Sequence, residues 1–119
     1  MDATFNFLVD VRRNLMRVNM AGFFSEDDVQ RFANEYRSNL SKLNAPGHLT
    51  LVDIKQMKIQ AQSVVNGFSS LLASPDVRSR RLAFICSSTL ARLQAQRLTD
   101  REDVEFFDDE AKAERWLTD

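Results

Sequence analysis

Three times in this chain a short apolar run gives way within a few residues to apolar side chains at helical spacing. The runs are residues 49–54, 82–86 and 104–107. Val64, Val65, Phe68, Leu71 and Leu72 mark the first helix, Leu90, Leu93 and Leu98 the second, and Ala113, Trp116 and Leu117 the third, in which all three face inward. Successive strands joined through helices pair in parallel by right-handed crossovers, so this half of the chain predicts a parallel sheet with packed helices. The start of the chain obeys a different period. Phe5, Phe7 and Val9 alternate with Asn6, Leu8 and Asp10, and Met16, Val18 and Met20 alternate with Arg17 and Asn19. The four residues 11–14 between them are short enough for a hairpin, and Asn14 tolerates the left-handed backbone that such a loop needs. The first two strands are therefore expected to be antiparallel neighbours.

Ser25 followed by Glu26, Asp27 and Asp28 predicts a helix start, with a hydroxyl for the free amides and carboxylates at the positive end of the dipole. Capping accounts for this acidic run without a metal. Val29, Phe32, Ala33, Tyr36, Leu40 and Leu43 form one apolar stripe, which Asn44, Pro46 and Gly47 terminate. Ser87, Ser88 and Thr89 offer a cap for the third helix, and Asp108, Asp109 and Glu110 open the last. The predicted order is β-β-α-β-α-β-α-β-α, an α/β fold with a five-stranded, mostly parallel sheet whose first strand runs antiparallel. At 119 residues with 44% hydrophobic content, and without a linker or repeat, residues 1–119 suit a single domain.

The residues exclude most familiar chemistries. The chain has one cysteine, Cys86, and one histidine, His48, with no Cys-x-x-Cys, glycine-rich phosphate loop or paired histidines. Neither a metal nor a cofactor is expected. Cys86 ends an apolar strand, the ordinary place for a buried thiol. His48 is expected near the surface at a strand start, five residues from Asp53 and too far along the strand to touch it. No Gly-x-Ser-x-Gly nucleophile elbow is present either, and the chain is expected not to be an enzyme. Asp53, late in a buried strand, is expected to be structural, accepting bonds from loop amides or a nearby basic group. A net charge of -1 gives no global reason to bind nucleic acid. The absence of an internal disulfide, of a basic-apolar leader and of a run of about 20 apolar residues suggests a cytoplasmic protein without a transmembrane segment.

Two features leave room for a site. Residues 77–99 carry Arg78, Arg80, Arg81, Arg92 and Arg97 and no acidic residue. Parallel strands present their carboxyl ends on one rim, which is expected to gather Lys55, Lys58, Ser87, Ser88, Thr89 and Arg92 into a ligand rim for a small anion. Solvated or paired arginines are the plainer reading. The second feature is apolar. Leu82, Phe84 and Cys86 alternate with Ala83 and Ile85, so both sheet faces need cover. A second copy of the chain is the simplest candidate, giving a homodimer, and the N-terminal segment or the last helix would serve equally well.

The element order, Leu51-Val52-Asp53-Ile54, residues 79–85 followed by a helix, Gly22-Phe23-Phe24 before the first helix, Phe106-Phe107-Asp108 and Glu114-Arg115-Trp116-Leu117 together resemble the SpoIIAA-like proteins of the STAS superfamily, in particular small stand-alone bacterial members. The resemblance covers nearly the whole chain. It implies a regulatory module that acts by contact with a protein partner. In the anti-sigma factor antagonists of that superfamily, an Asp-Ser pair at the start of the next helix carries the serine that a partner kinase phosphorylates. Those positions fall near Ala61 and Gln62, which cannot play that part. Ser63, the candidate modification site, lies one residue on, where a helix turns its side chain by about 100°. The implied module thus lacks an intact Asp-Ser phosphoacceptor. The alternative is a carrier or sensor of a small apolar or anionic ligand, lipid-like or phosphate-bearing, which requires an enclosed cavity of about 300 Å³ or more.

Overall fold

Asn14 adopts a φ of 53° and turns strand β1 (Thr4–Asp10) back onto β2 (Leu15–Gly22), so the two pair antiparallel from Thr4 opposite Ala21 to Asp10 opposite Leu15. The computed structural model describes residues 2–119. Helix α1 (Glu26–Leu40) starts in a reciprocal cap: the Asp28 amide donates to the Ser25 hydroxyl, and the Ser25 amide donates to the Asp28 carboxylate. Strand β3 (Leu49–Met57), helix α2 (Gln62–Ala73), β4 (Arg81–Ile85), α3 (Thr89–Gln96), β5 (Val104–Phe107) and α4 (Glu110–Thr118) follow. A 3-10 turn at Pro75–Val77 lies between α2 and β4. The five strands lie in sequence order, with β2 to β5 parallel and β1 alone reversed, as the alternating pattern predicts.

The two sheet faces are covered differently. Met16, Val18 and Met20 of β2, Val52 and Ile54 of β3, and Leu82, Phe84 and Cys86 of β4 pack with Val29, Phe32, Tyr36, Val64, Phe68 and Leu71 in the main core under α1 to α3. An aromatic cluster of Phe5, Phe7, Phe24, Phe32, Tyr36 and Phe68, with ring centroids 5.2 to 6.3 Å apart, ties β1, α1 and α2 together. Gly67 sits where a Cβ would come within 3.0 Å of Val29 Cγ1, so the α1 to α2 approach leaves no room for a larger residue without adjustment. On the other face, Leu15, Leu49, Leu51, Ala83 and Ile85 are sealed by Ala113 and Leu117 of α4, both fully buried. Trp116 is half-buried beside Phe107, with centroids 5.8 Å apart. The last helix therefore takes the apolar face for which a second copy was the simplest candidate. Arg17, projecting from β2 on this face, pairs with both Glu110 and Glu114 and fixes α4 over it.

Two expectations are corrected. His48 is fully buried, not near the surface, because its carbonyl receives the Arg80 amide at 2.6 Å and the chain before β4 closes over it. Among the described residues neither of its ring nitrogens has a hydrogen-bond partner. Burial, and then the positive charge of Arg101, pushes its pKa down to about 4. In α3 the leucines do not make the inner face. Leu90 and Leu93 are 61% and 51% exposed, and it is Ala95 that is buried, with Ala91, Gln94 and Leu98 partly covered.

Candidate functional site

The strands β2 to β5 run in one direction, so their carboxyl ends, at Gly22, Met57, Ile85 and Phe107, share one rim. Gly22, at a φ of 82°, releases the chain from β2, and its carbonyl accepts the Lys58 amide at 3.2 Å. Gln60 then holds the rim together. Its side chain is buried, accepts the Phe24 amide at 2.8 Å and donates to the carbonyls of Gly22 and Lys58 at 2.8 and 2.5 Å. The Gln60 backbone is latched to α3, because its amide donates to Gln94 Oε1 at 3.1 Å and its carbonyl accepts from Gln94 Nε2 at 3.2 Å. A polar loop residue thus joins the end of β2, the segment after β3 and the third helix.

Large apolar side chains are exposed on the chain segments that meet at this junction. Phe23 is 52% exposed and adjoins Phe24, Ile59 is 44% exposed and adjoins Gln60, and Leu90 and Leu93 lie one turn or less from Gln94. Beneath α3 lies an apolar cleft of about 70 Å³ lined by Phe32, Phe68, Leu71, Phe84, Ala95 and Leu98, among others.

The expected rim residues all lie near these strand ends, yet they do not converge on one point. The Ser87 hydroxyl donates to the Lys55 carbonyl at 3.2 Å, which brings β3 and the β4 to α3 turn together. The Lys55 ammonium lies 3.7 Å from the Asp53 carboxylate, toward the α4 face of the sheet. Arg92 instead stacks over Phe106, 5.8 Å from its centroid, on the opposite face. Ser88 is the N-cap of α3 and accepts the Ala91 amide at 3.1 Å, while Thr89 is the exposed first residue of that helix and Lys58 is exposed beside Ile59. Asp53 also accepts the Lys55 amide at 3.0 Å. Ser63 is exposed in the first turn of α2, whose N-cap, Ala61, offers no side-chain bond. Cys86 is buried, which pushes its thiol up to about 11, far from a thiolate at neutral pH. Among the described residues no group of three His, Cys, Asp or Glu is placed to hold a metal, and no helix is long and apolar enough to cross a membrane.

Sequence reasoning gave Gln60, Gln94, Phe23 and Ile59 no site role, although Phe23 is among the residues that carry the family resemblance. Glutamines in a loop and on a helix carry no periodic signal, and only the fold reveals that they meet.

No protein-family model matches this chain, and no curated protein does. Among solved structures it is similar to an uncharacterized protein of the DUF3478 family with a SpoIIAA-like fold from Shewanella loihica. The TM-score is 0.73 at 18% identity, over 98% of this chain and 94% of that one. It is also similar to an anti-sigma factor antagonist from Mycobacterium paratuberculosis, with a TM-score of 0.61 at 7% identity over 98% of this chain and 96% of that one. Taken with the strand order, the single antiparallel strand and the four helices, these likenesses establish that the chain has a SpoIIAA-like fold.

Proposed function

We propose that this chain is a non-enzymatic regulatory module that works by protein-protein contact in the cytoplasm, through the apolar and basic surface around Gln60. The observation that carries this reading is the exposure of Phe23, Ile59, Leu90 and Leu93 on the segments that Gln60 and Gln94 link, with Lys58 exposed beside Ile59. Such a surface fits a partner that presents apolar side chains among acidic ones, because apolar burial supplies affinity and complementary charge orients the approach. The solved anti-sigma factor antagonist of the same fold supports a regulatory role. The module works without an Asp-Ser phosphoacceptor, since Ala61 and Gln62 open α2. Phosphorylation, where it occurs, falls to Ser63, whose place in the first turn of α2 favours an added negative charge.

The test is site-specific photo-crosslinking from position 93 in the native cell, followed by a binding titration with the purified partner. Leu90→Glu with Leu93→Glu is expected to weaken that binding at least about tenfold, the loss of one well-buried apolar anchor, while leaving thermal stability unchanged. Unchanged affinity in the double variant refutes the surface.

A second reading, a carrier of a small apolar ligand, draws on the cleft beneath α3. At about 70 Å³ it is well below the ~300 Å³ that ligand sites begin at. It therefore takes only a few carbon atoms unless α3 moves. Native mass spectrometry of freshly purified protein decides between the readings: a reproducible added mass favours the carrier, and its absence the contact module.

A further inference from the structure

The two edges of the sheet are not alike. β5, at one edge, is four residues long, short enough to offer little to a passing strand. β1, at the other, has seven residues, Thr4 to Asp10, with no proline, glycine, lysine or arginine among them. Its ladder with β2 runs through all seven pairs without a bulge. About half of its N–H and C=O groups point away from β2 and have no strand to meet. Leu8, on the α4 side of β1, is 62% exposed, so the described residues leave most of it open to solvent. Natural edges are commonly protected by charge, proline or a bulge, and this one carries only Asp10, at its last position and paired with Arg13.

The charges around that edge are separated end to end. At the start of β1 lie Asp2 and, through the stacking of Phe24 on Phe5, the first turn of α1 with Glu26 and Asp27. At its other end lie the hairpin turn with Arg12 and, beyond the end of α1, Lys42. Each end also holds an opposite charge that is already paired, Asp10 with Arg13 at the turn and Arg31, over the Phe5 ring, with Asp28 at the start of α1, whereas among the described residues no ion pair engages Glu26, Asp27, Arg12 or Lys42. An edge that is acidic at one end and basic at the other is complementary to itself when two copies meet antiparallel. A twofold axis beside Phe7 sets Thr4 opposite the second copy's Asp10 and brings Asp2 level with its Arg12. Leu8 then lies opposite Asn6 of the second copy, with the two Leu8 side chains in diagonal contact. A parallel approach would instead place acid against acid and base against base.

We propose that β1 is a docking edge for a second copy of this chain, joining two five-stranded sheets into one antiparallel-centred sheet of ten strands. Seven residues at about 3.4 Å each give an edge about 24 Å long. With a helix layer packed on the sheet its thickness is roughly 20 Å, so the pair buries about 1,000 Å² in total, at the lower bound for a specific interface. The dimer is accordingly weak, with a dissociation constant roughly between 10 and 500 μM. Its acidic end adjoins the carboxyl rim where Asp2 bridges Phe23, and it uses none of Ile59, Leu90 and Leu93.

The experiment is sedimentation velocity of the full chain from about 5 μM to 1 mM, a range that brackets the expected dissociation constant. A concentration-dependent shift from monomer to dimer is expected. Leu8→Glu should remove it while thermal stability is kept, since Leu8 is exposed and its cross-strand neighbour is Arg17. Arg12→Glu should weaken association, and Asp2→Arg added to Arg12→Glu should restore it. A chain that stays monomeric through the whole range overturns the proposal. So does a dimer that persists in Leu8→Glu, or one that Leu90→Glu abolishes instead, which would place the contact at the carboxyl rim.

Discussion

Replacing His48 with leucine tests whether a neutral imidazole is locked inside this fold. The side chain is fully buried, and among the described residues both ring nitrogens lack a partner. Burial and the Arg101 charge lower its pKa from 6.5 to about 4. Below pH 6.5 the unfolded chain takes up a proton at this residue, whereas the folded chain does so only near pH 4. Between these values the unfolded state holds one more proton, so stability is fully present above pH 6.5 and falls as the pH drops toward 4. The slope is about 1.4 kcal/mol per pH unit at most, and the full window amounts to about 3 kcal/mol. Urea titrations of the wild type and His48→Leu at half-unit steps from pH 4.5 to 7.5 isolate this effect, because other titrating groups are common to both. The leucine variant should lose the slope between pH 4.5 and 6.5. It should also be no less stable than the wild type at pH 5, since it removes two unsatisfied buried nitrogens worth about 1 to 3 kcal/mol each. Parallel stability curves for the two proteins would refute the reasoning, because they would mean that His48 titrates alike in the folded and unfolded states.

Gln60→Leu removes three side-chain hydrogen bonds from a buried position and should cost about 2 to 4 kcal/mol in chemical denaturation, with faster amide exchange in α3 than in α2. Leu117→Ala empties a fully buried site between α4 and the sheet and should lower stability by about 2 to 5 kcal/mol in the same assay. Ser25→Ala breaks the cap of α1 and should cost about 1 kcal/mol, largely recovered in Ser25→Asp.

Where local pattern and burial agreed, the sequence was legible. The period-two alternation of β1 and β2, the Ser25 cap and the strand-helix rhythm after Leu49 are each local signals, and each element formed where its signal lies. The face of α3 was not legible, because leucine at helical spacing ordinarily marks the inner side. Here alanine and glutamine face the core and the leucines face water. His48 was misplaced for a related reason: a polar residue before a strand has no local mark of burial, and its cover comes from the chain around Ser79 and Arg80, more than 30 residues away. The expected rim residues lie near the strand ends, but their side-chain directions were not legible. Lys55 turned to Asp53 and Arg92 to Phe106, which periodicity does not foretell.

The seal made by α4 also bears on how this protein fails. Leu15, Leu49, Leu51, Ala83 and Ile85, drawn from three strands, depend on two residues of one nine-residue helix for their cover. A cut in the short turn at Asp108 and Asp109 would leave the main core under α1 to α3 in place and uncover a contiguous apolar surface on the reverse of the sheet. Such a fragment would remain largely folded yet adhesive. Cleavage there would therefore convert a well-behaved domain into a substrate for chaperones and proteases in one step, making the α4 junction the natural point at which the molecule's lifetime is set.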